Sequence, residues 1–227
     1  MSFTPPHAKI CGLSTPEALD WAIDAGADGI GLVHFPKSPR HVPLEALPAL
    51  AAHARGRAAV VLLTVDADDA LLDALVAAAA PDILQLHGRE TPERVAAVRA
   101  RHGRPVMKAL GIGTADDLAA AGAFESVADL LLFDAKPPKD ATRPGGLGVP
   151  FDWSLLGSHR GATPFLLSGG LTPTNVADAI AAVRPAGVDV SSGVESAPGV
   201  KDGALIRAFM AAVEAGRRAA GGEGETR

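Results

Sequence analysis

What most constrains this chain is a unit repeated along it: a short apolar, β-branched run, a few turn residues, then an amphipathic stretch rich in alanine. Residues 8–11, 29–34, 59–65, 82–86, 105–110, 129–134, 164–168 and 187–191 read as strands, and helices follow most of them. Strands separated by crossover helices at a mean period of about 28 residues pair in parallel. Eight such units favour closure into a single α/β domain, a (β/α)8 TIM barrel, over an open doubly wound sheet.

Helix starts carry their own signal. Thr15-Pro16-Glu17, Thr91-Pro92-Glu93 and Thr172-Pro173-Thr174 each follow a strand and read as a cap and a first turn. Gly26 reads as the stop of the first helix, and a helix near Asp152–Gly157 has the weakest pattern. The last helix is expected over Gly203–Gly216. The barrel is therefore placed at residues 1–216, with 217–227 as a flexible tail.

Composition closes off several function classes. Aromatics are only 4% and there is no Tyr, so the core rests on Ala, Val, Leu and Ile. A net charge of −5 offers no overall field for nucleic acid or anionic lipid. The single cysteine, Cys11, excludes an intramolecular disulfide and any multi-Cys zinc site, and the seven histidines lack paired ligand spacing, so no metal is expected. No apolar h-region follows the first residues, and no apolar run approaches the ~18 residues of a membrane span. The expectation is a soluble, cytoplasmic protein.

In such a barrel the chemistry belongs at the carboxyl ends of the strands. Three small-residue loops fall there: Gly145-Gly146-Leu147-Gly148, Ser168-Gly169-Gly170 and Ser191-Ser192-Gly193. Each could be a tight turn only, but three neighbours, two of them after strands seven and eight, point to a main-chain cradle for phosphate. Cys11 and Asp134 end strands one and six, on opposite sides of the mouth. A thiolate there could serve as base and a protonated carboxyl as acid; a buried inert thiol and a helix cap are the plain alternatives. Arg40, in Lys37-Ser38-Pro39-Arg40 on one of two long loops, suits bidentate capture of a carboxylate or a solvated basic loop. His87 lines the site or packs as a neutral core ring, and Asp189 closes strand eight. No Walker A sequence is present, so no nucleotide is implied.

Taken in order, these segments resemble the phosphoribosylanthranilate isomerase family. The resemblance rests on Lys9-Ile10-Cys11-Gly12, Gly31 through Arg40, Gln85-Leu86-His87-Gly88, Leu131 through Asp134, Phe151-Asp152-Trp153, Leu167 through Leu171 and Asp189 through Glu195, and spans residues 9–210. It implies a (β/α)8 barrel that performs an Amadori rearrangement without cofactor, on a phosphorylated sugar–anthranilate substrate, as a monomer or homodimer. It further implies Asp134 as the acid that opens the ribose ring and Cys11 as the base that removes the C2 proton. Arg40 would hold the anthranilate carboxylate, and Asp189 and His87 would line the sugar and ring. Gly146, Gly148, Ser168, Gly169, Gly170, Ser191, Ser192 and Gly193 would hold phosphate. Leu147 stands where the family usually has Thr or Ser, which removes a hydroxyl and keeps the N–H groups. The related histidine-pathway isomerase looks to carry a carboxylate at the end of strand one, where this chain has Cys11. A catalytically silent sugar-phosphate-binding barrel is the reading from another class, and it would fit better had Cys11 or Asp134 been lost.

Overall fold

The computed structural model describes residues 4–136, 152–159 and 161–222. Eight parallel strands form a closed barrel in sequence order: β1 (Ala8–Cys11), β2 (Gly29–His34), β3 (Ala59–Thr64), β4 (Ile83–Leu86), β5 (Val106–Ile112), β6 (Leu130–Ala135), β7 (Phe165–Leu167) and β8 (Gly187–Val190). The seam is β1 against β8, with Lys9 opposite Asp189 and Ile10 opposite Val190. The helices are α1 (Pro16–Asp24), α2 (Leu47–Ala54), α3 (Asp69–Ala79), α4 (Pro92–His102), α5 (Ala115–Ala121), α6 (Val176–Val183) and α7 (Gly203–Gly222). A 3-10 turn, Trp153–Ser158, stands where the weakly patterned helix was expected.

Alternation along the strands divides two cores. Ile10, Ile30, Leu32, Leu62, Leu84, Leu131 and Leu167 face the helices with Leu19, Leu47, Leu75, Val95 and Phe209. Val61, Ile83, Met107, Ala109, Leu130, Leu132 and Leu166 fill the barrel interior as a separate cluster. Each of these side chains larger than alanine, fully buried, is worth ~1.5–3 kcal/mol. That interior cluster draws only on β3 to β7. On the β1/β8 side the interior carries Lys9 and Asp189 instead, so the barrel is apolar on one flank and ionic on the other.

Thr15 and Thr91 cap α1 and α4 as the sequence indicated, each accepting from a backbone N–H three residues on, with Pro in the first turn. Thr172 does not cap α6. The helix begins at Val176 behind Asn175, whose side-chain oxygen accepts from Thr172 N–H at 2.8 Å and whose amide donates to Gly170 O at 3.0 Å. Those two bonds tie the Thr-Pro-Thr turn back to the glycine loop, so the cap-like residues shape that loop instead. Nor does α7 stop at Gly216. A Cβ there would come within 2.9 Å of Ala177 Cα, so this glycine permits close packing of α7 on α6, and the helix continues to Gly222. No described helix is long and apolar enough to cross a membrane.

Candidate active site

At the carboxyl end of the barrel lies a cavity that opens to solvent. Cys11, Arg40, His87, Asp134, Ser168, Gly169, Gly170, Asp189, Ser191, Ser192 and Gly193 all border it, so the structure gathers these eleven expected residues at one mouth. Gly146, Gly148 and Leu147 lie outside the described residues. Cys11 and Asp134 are not diametrically opposed, because only β7 and β8 separate their strands around the ring.

Asp134 is 7% exposed. Burial, aided by the negative charge of Asp189, pushes its carboxyl up to about 7; the Ala135 N–H donated to Oδ1 at 2.8 Å and the Lys9 charge only partly oppose this. Such a group holds a proton near neutral pH and can give it up. His87 stands beside it, with Nε2 at 3.6 Å from Asp134 Oδ2. Burial, with the charge of Lys108, pushes His87 down to about 4, so the ring is neutral. Gln85 Nε2 donates to His87 Nδ1 at 3.2 Å, which leaves the ring proton on Nε2, facing Asp134.

Cys11 is buried among Val33 and Leu63, and burial pushes its thiol up, with Lys9 pulling the other way. Lys9 itself is fully buried and donates to Asp189 Oδ1 at 2.5 Å, while Ser168 Oγ donates to Asp189 Oδ2 at 3.2 Å. Burial works against the Lys9 charge, but Asp189 and Cys11 more than offset it and hold the ammonium above its usual range. Removing one partner of a buried pair of this kind costs ~3–5 kcal/mol, because the other charge is left uncompensated.

Arg40 arrives differently from the expectation. Its fork is already occupied on one edge: Nε donates to Glu195 Oε1 at 2.6 Å and Nη2 to Glu195 Oε2 at 2.7 Å. Glu195 lies on β9 (Glu195–Ala197), which pairs with β10 (Val200–Lys201), and it also accepts from Lys201 Nζ at 2.6 Å. Burial would raise the Glu195 carboxyl, but the two cations hold it below its usual range. Gly12, at φ +78°, lets the Arg40 stem lie across the backbone, where a Cβ would come within 2.4 Å of Arg40 Cδ.

The glycine loops form as shaped concavities. Gly169 and Gly170 adopt φ of +85° and +69°, and a Cβ on Gly169 would stand 2.5 Å from Ala135 N. A Cβ on Gly193 would meet Leu171 O at 1.9 Å, so both positions exclude a side chain. Among the described residues, no protein acceptor takes the N–H groups of Gly169, Gly170, Ser192 or Gly193. The serines are otherwise engaged: Ser168 donates its N–H to Phe133 O and its hydroxyl to Asp189, and Ser191 Oγ donates to Cys11 O.

Sequence reasoning missed Lys9, Gln85, Glu195 and Lys201, along with a buried pair outside the barrel interior. That pair is Lys108 Nζ donating to Glu90 Oε2 at 2.7 Å and to Gly88 O at 2.8 Å, which clamps the loop carrying His87. A lysine inside an apolar strand, as at positions 9 and 108, was the available signal.

A family model described as N-(5'phosphoribosyl)anthranilate (PRA) isomerase matches residues 8–212. The N-(5'-phosphoribosyl)anthranilate isomerase of Azorhizobium caulinodans is 61% identical over 213 residues, covering 94% of this chain and 93% of its own. The crystal structure of phosphoribosyl anthranilate isomerase from Thermotoga maritima superposes with a TM-score of 0.82 at 33% identity, covering 92% of this chain and 98% of that one. A second crystal structure, of phosphoribosyl anthranilate isomerase in complex with reduced 1-(o-carboxyphenylamino)-1-deoxyribulose 5-phosphate, does so at 0.79 and 30%, with the same coverage.

Proposed function

The chain belongs to the N-(5'-phosphoribosyl)anthranilate isomerase family, and on that membership and its site we propose that it converts N-(5'-phosphoribosyl)anthranilate to 1-(2-carboxyphenylamino)-1-deoxyribulose 5-phosphate, a step of tryptophan biosynthesis. The observation that carries the assignment of roles is Asp134, a carboxyl held near neutrality at the mouth that also holds Cys11 and the bare N–H groups of two glycine loops. Asp134 protonates the ribose ring oxygen, and the C1–O bond breaks to give a protonated Schiff base. The Cys11 thiolate takes the C2 proton. The C2–H pair becomes the C1–C2 double bond, and the iminium nitrogen keeps the displaced pair as an enolamine, which tautomerises to the ketone. No cofactor enters these steps.

The remaining residues bind. Gly169, Gly170, Ser192 and Gly193 offer main-chain N–H groups to the phosphate. Ser168 and Ser191 shape those loops, because their hydroxyls are engaged within the protein. Asp189 borders the sugar, and neutral His87 steadies the Asp134 carboxyl. Arg40 reads the anthranilate carboxylate with the guanidinium edge that Glu195 leaves open. The protein works in the cytoplasm as a monomer or homodimer. The test is loss of fluorescence from freshly made phosphoribosylanthranilate, followed for the parent beside Cys11→Ser and Asp134→Asn. A parent that leaves the fluorescence unchanged ends this reading, and near-parental kcat in either variant removes that residue from the mechanism.

A further inference from the structure

Lys9 is a buried ammonium that none of the steps above uses. It precedes Cys11 by two residues on β1, so both side chains enter the barrel interior from the same face of the strand. They converge over Gly31 of β2: the point where a Cβ on that glycine would stand is 2.8 Å from Cys11 Sγ and 3.2 Å from Lys9 Cε. Lys9 does not border the cavity, whereas Cys11 does, so the ammonium sits beneath the floor and out of reach of substrate. Its Nζ is anchored on Asp189 Oδ1 across the β1/β8 seam.

We infer that Lys9 is a positioning residue for the proton-abstraction step, its anchored ammonium stabilising the thiolate that Cys11 must become to act as base. The inference rests on the reading of Cys11 given under the proposed function. A thiol at this depth is disfavoured as an anion by burial, and it needs a nearby positive charge that cannot be titrated away. Among the described residues, four charged groups act on Cys11. Lys9 shares its strand, Asp189 faces it from β8, Lys201 from β10, and Arg40 from the loop after β2. From β2 and β3 it meets the apolar Val33 and Leu63. Of these groups Lys9 has the largest effect in favour of the thiolate, Lys201 a smaller one, and Asp189 opposes it. Arg40 and Lys201 are both bound to Glu195, which offsets their charge; Lys9 is offset by an Asp189 that Ser168 also engages. The arrangement keeps a charged lysine dry and close to a sulfur, and Gly31 supplies the space.

Cys11 is the sole cysteine of the chain, so thiol chemistry on the intact protein reports on it alone. The experiment measures the rate of alkylation by iodoacetamide, with thiolate absorbance, from pH 6 to 10, together with kcat and KM. Lys9→Met should raise the apparent pKa of Cys11 by at least about one unit and lower kcat at least about tenfold with KM little changed. Lys9→Arg should recover part of both. Asp189→Asn removes the carboxylate that opposes ionisation and should move the thiol the other way, downward. A purely structural role predicts shifts of the same sign or none. An unchanged thiol titration in Lys9→Met, or parallel shifts in Lys9→Met and Asp189→Asn, overturns the inference. Should Lys9→Met fail to fold, the Asp189→Asn titration decides, since a thiol pKa that does not fall there is equally fatal. A parent without turnover defeats the proposed function instead, and the thiol titration still stands on its own.

Discussion

Asp134→Asn should inactivate the protein and stabilise it, and the stabilisation should depend on pH in a defined window. In the folded chain the carboxyl is pushed from its ordinary 3.8 up to about 7. The folded state therefore binds this proton more tightly than the unfolded chain does. The resulting stability is fully present below pH about 4 and is lost as pH rises to about 7; above that the ionised carboxylate imposes a constant penalty. About three units correspond to ~4 kcal/mol at 1.36 kcal/mol each. Asn keeps the acceptor for the Ala135 N–H and cannot ionise, but its buried amide brings donors of its own, which return ~1–3 kcal/mol. The net expectation is a gain of about 1–3 kcal/mol at pH 8, or several degrees in Tm for a chain of this size, shrinking to nothing or reversing near pH 4. Melting curves of parent and variant at intervals from pH 4.5 to 9 measure the gap directly. Alongside, parental kcat should fall with rising pH above about 7, and the variant should lose ~100-fold or more throughout. A gap between the two melts that does not vary with pH would refute the claim that burial keeps this carboxyl protonated, and with it the argument for Asp134 as the acid.

The other expectations concern binding. Arg40→Ala should lower kcat/KM by ~1–2 orders of magnitude, and Arg40→Lys should recover only part, because an ammonium lacks the fork. Kinetics with a substrate analogue lacking the ring carboxylate provide the control: an equal penalty there means that Arg40 only shapes its loop. Glu195→Gln should loosen both Arg40 and Lys201, raising KM about tenfold while kcat stays within about threefold; an unaltered KM would mean that Arg40 is held without Glu195. Gly193→Ala forces the loop off Leu171 O, so inorganic phosphate, titrated by calorimetry, should bind at least about tenfold more weakly than to the parent. Parental affinity in that variant would place the cradle elsewhere.

What was legible in the sequence was what repeats or is local. Strand positions agreed to within about two residues, because parallel strands buried on both faces leave long apolar runs between turn signals. Thr15 and Thr91 worked as caps because capping is settled within four residues. Thr172 carried the same local signal and failed, since Asn175 and Gly170 compete for that turn through the loop geometry after β7. Gly216 read as a stop because its reason for being small lies on another helix, at Ala177.

The site divides along the same line. Cys11, His87, Asp134 and Asp189 could be found by asking which polar residues end strands, a question with one-dimensional answers. The partners that set their ionisation could not. Lys9 and Asp189 are 180 residues apart in sequence and become neighbours only because β1 closes on β8, and Arg40 meets Glu195 across 155 residues through a two-stranded flap beyond the barrel. A lysine in an apolar run signals that a counter-charge exists without saying which residue supplies it. In this barrel the counter-charge for Lys9 is also a residue of the cavity wall, so closing the barrel and setting the charge state of the mouth are one event. A substitution that loosened the β1/β8 seam would therefore disturb Cys11 before it unfolded the chain.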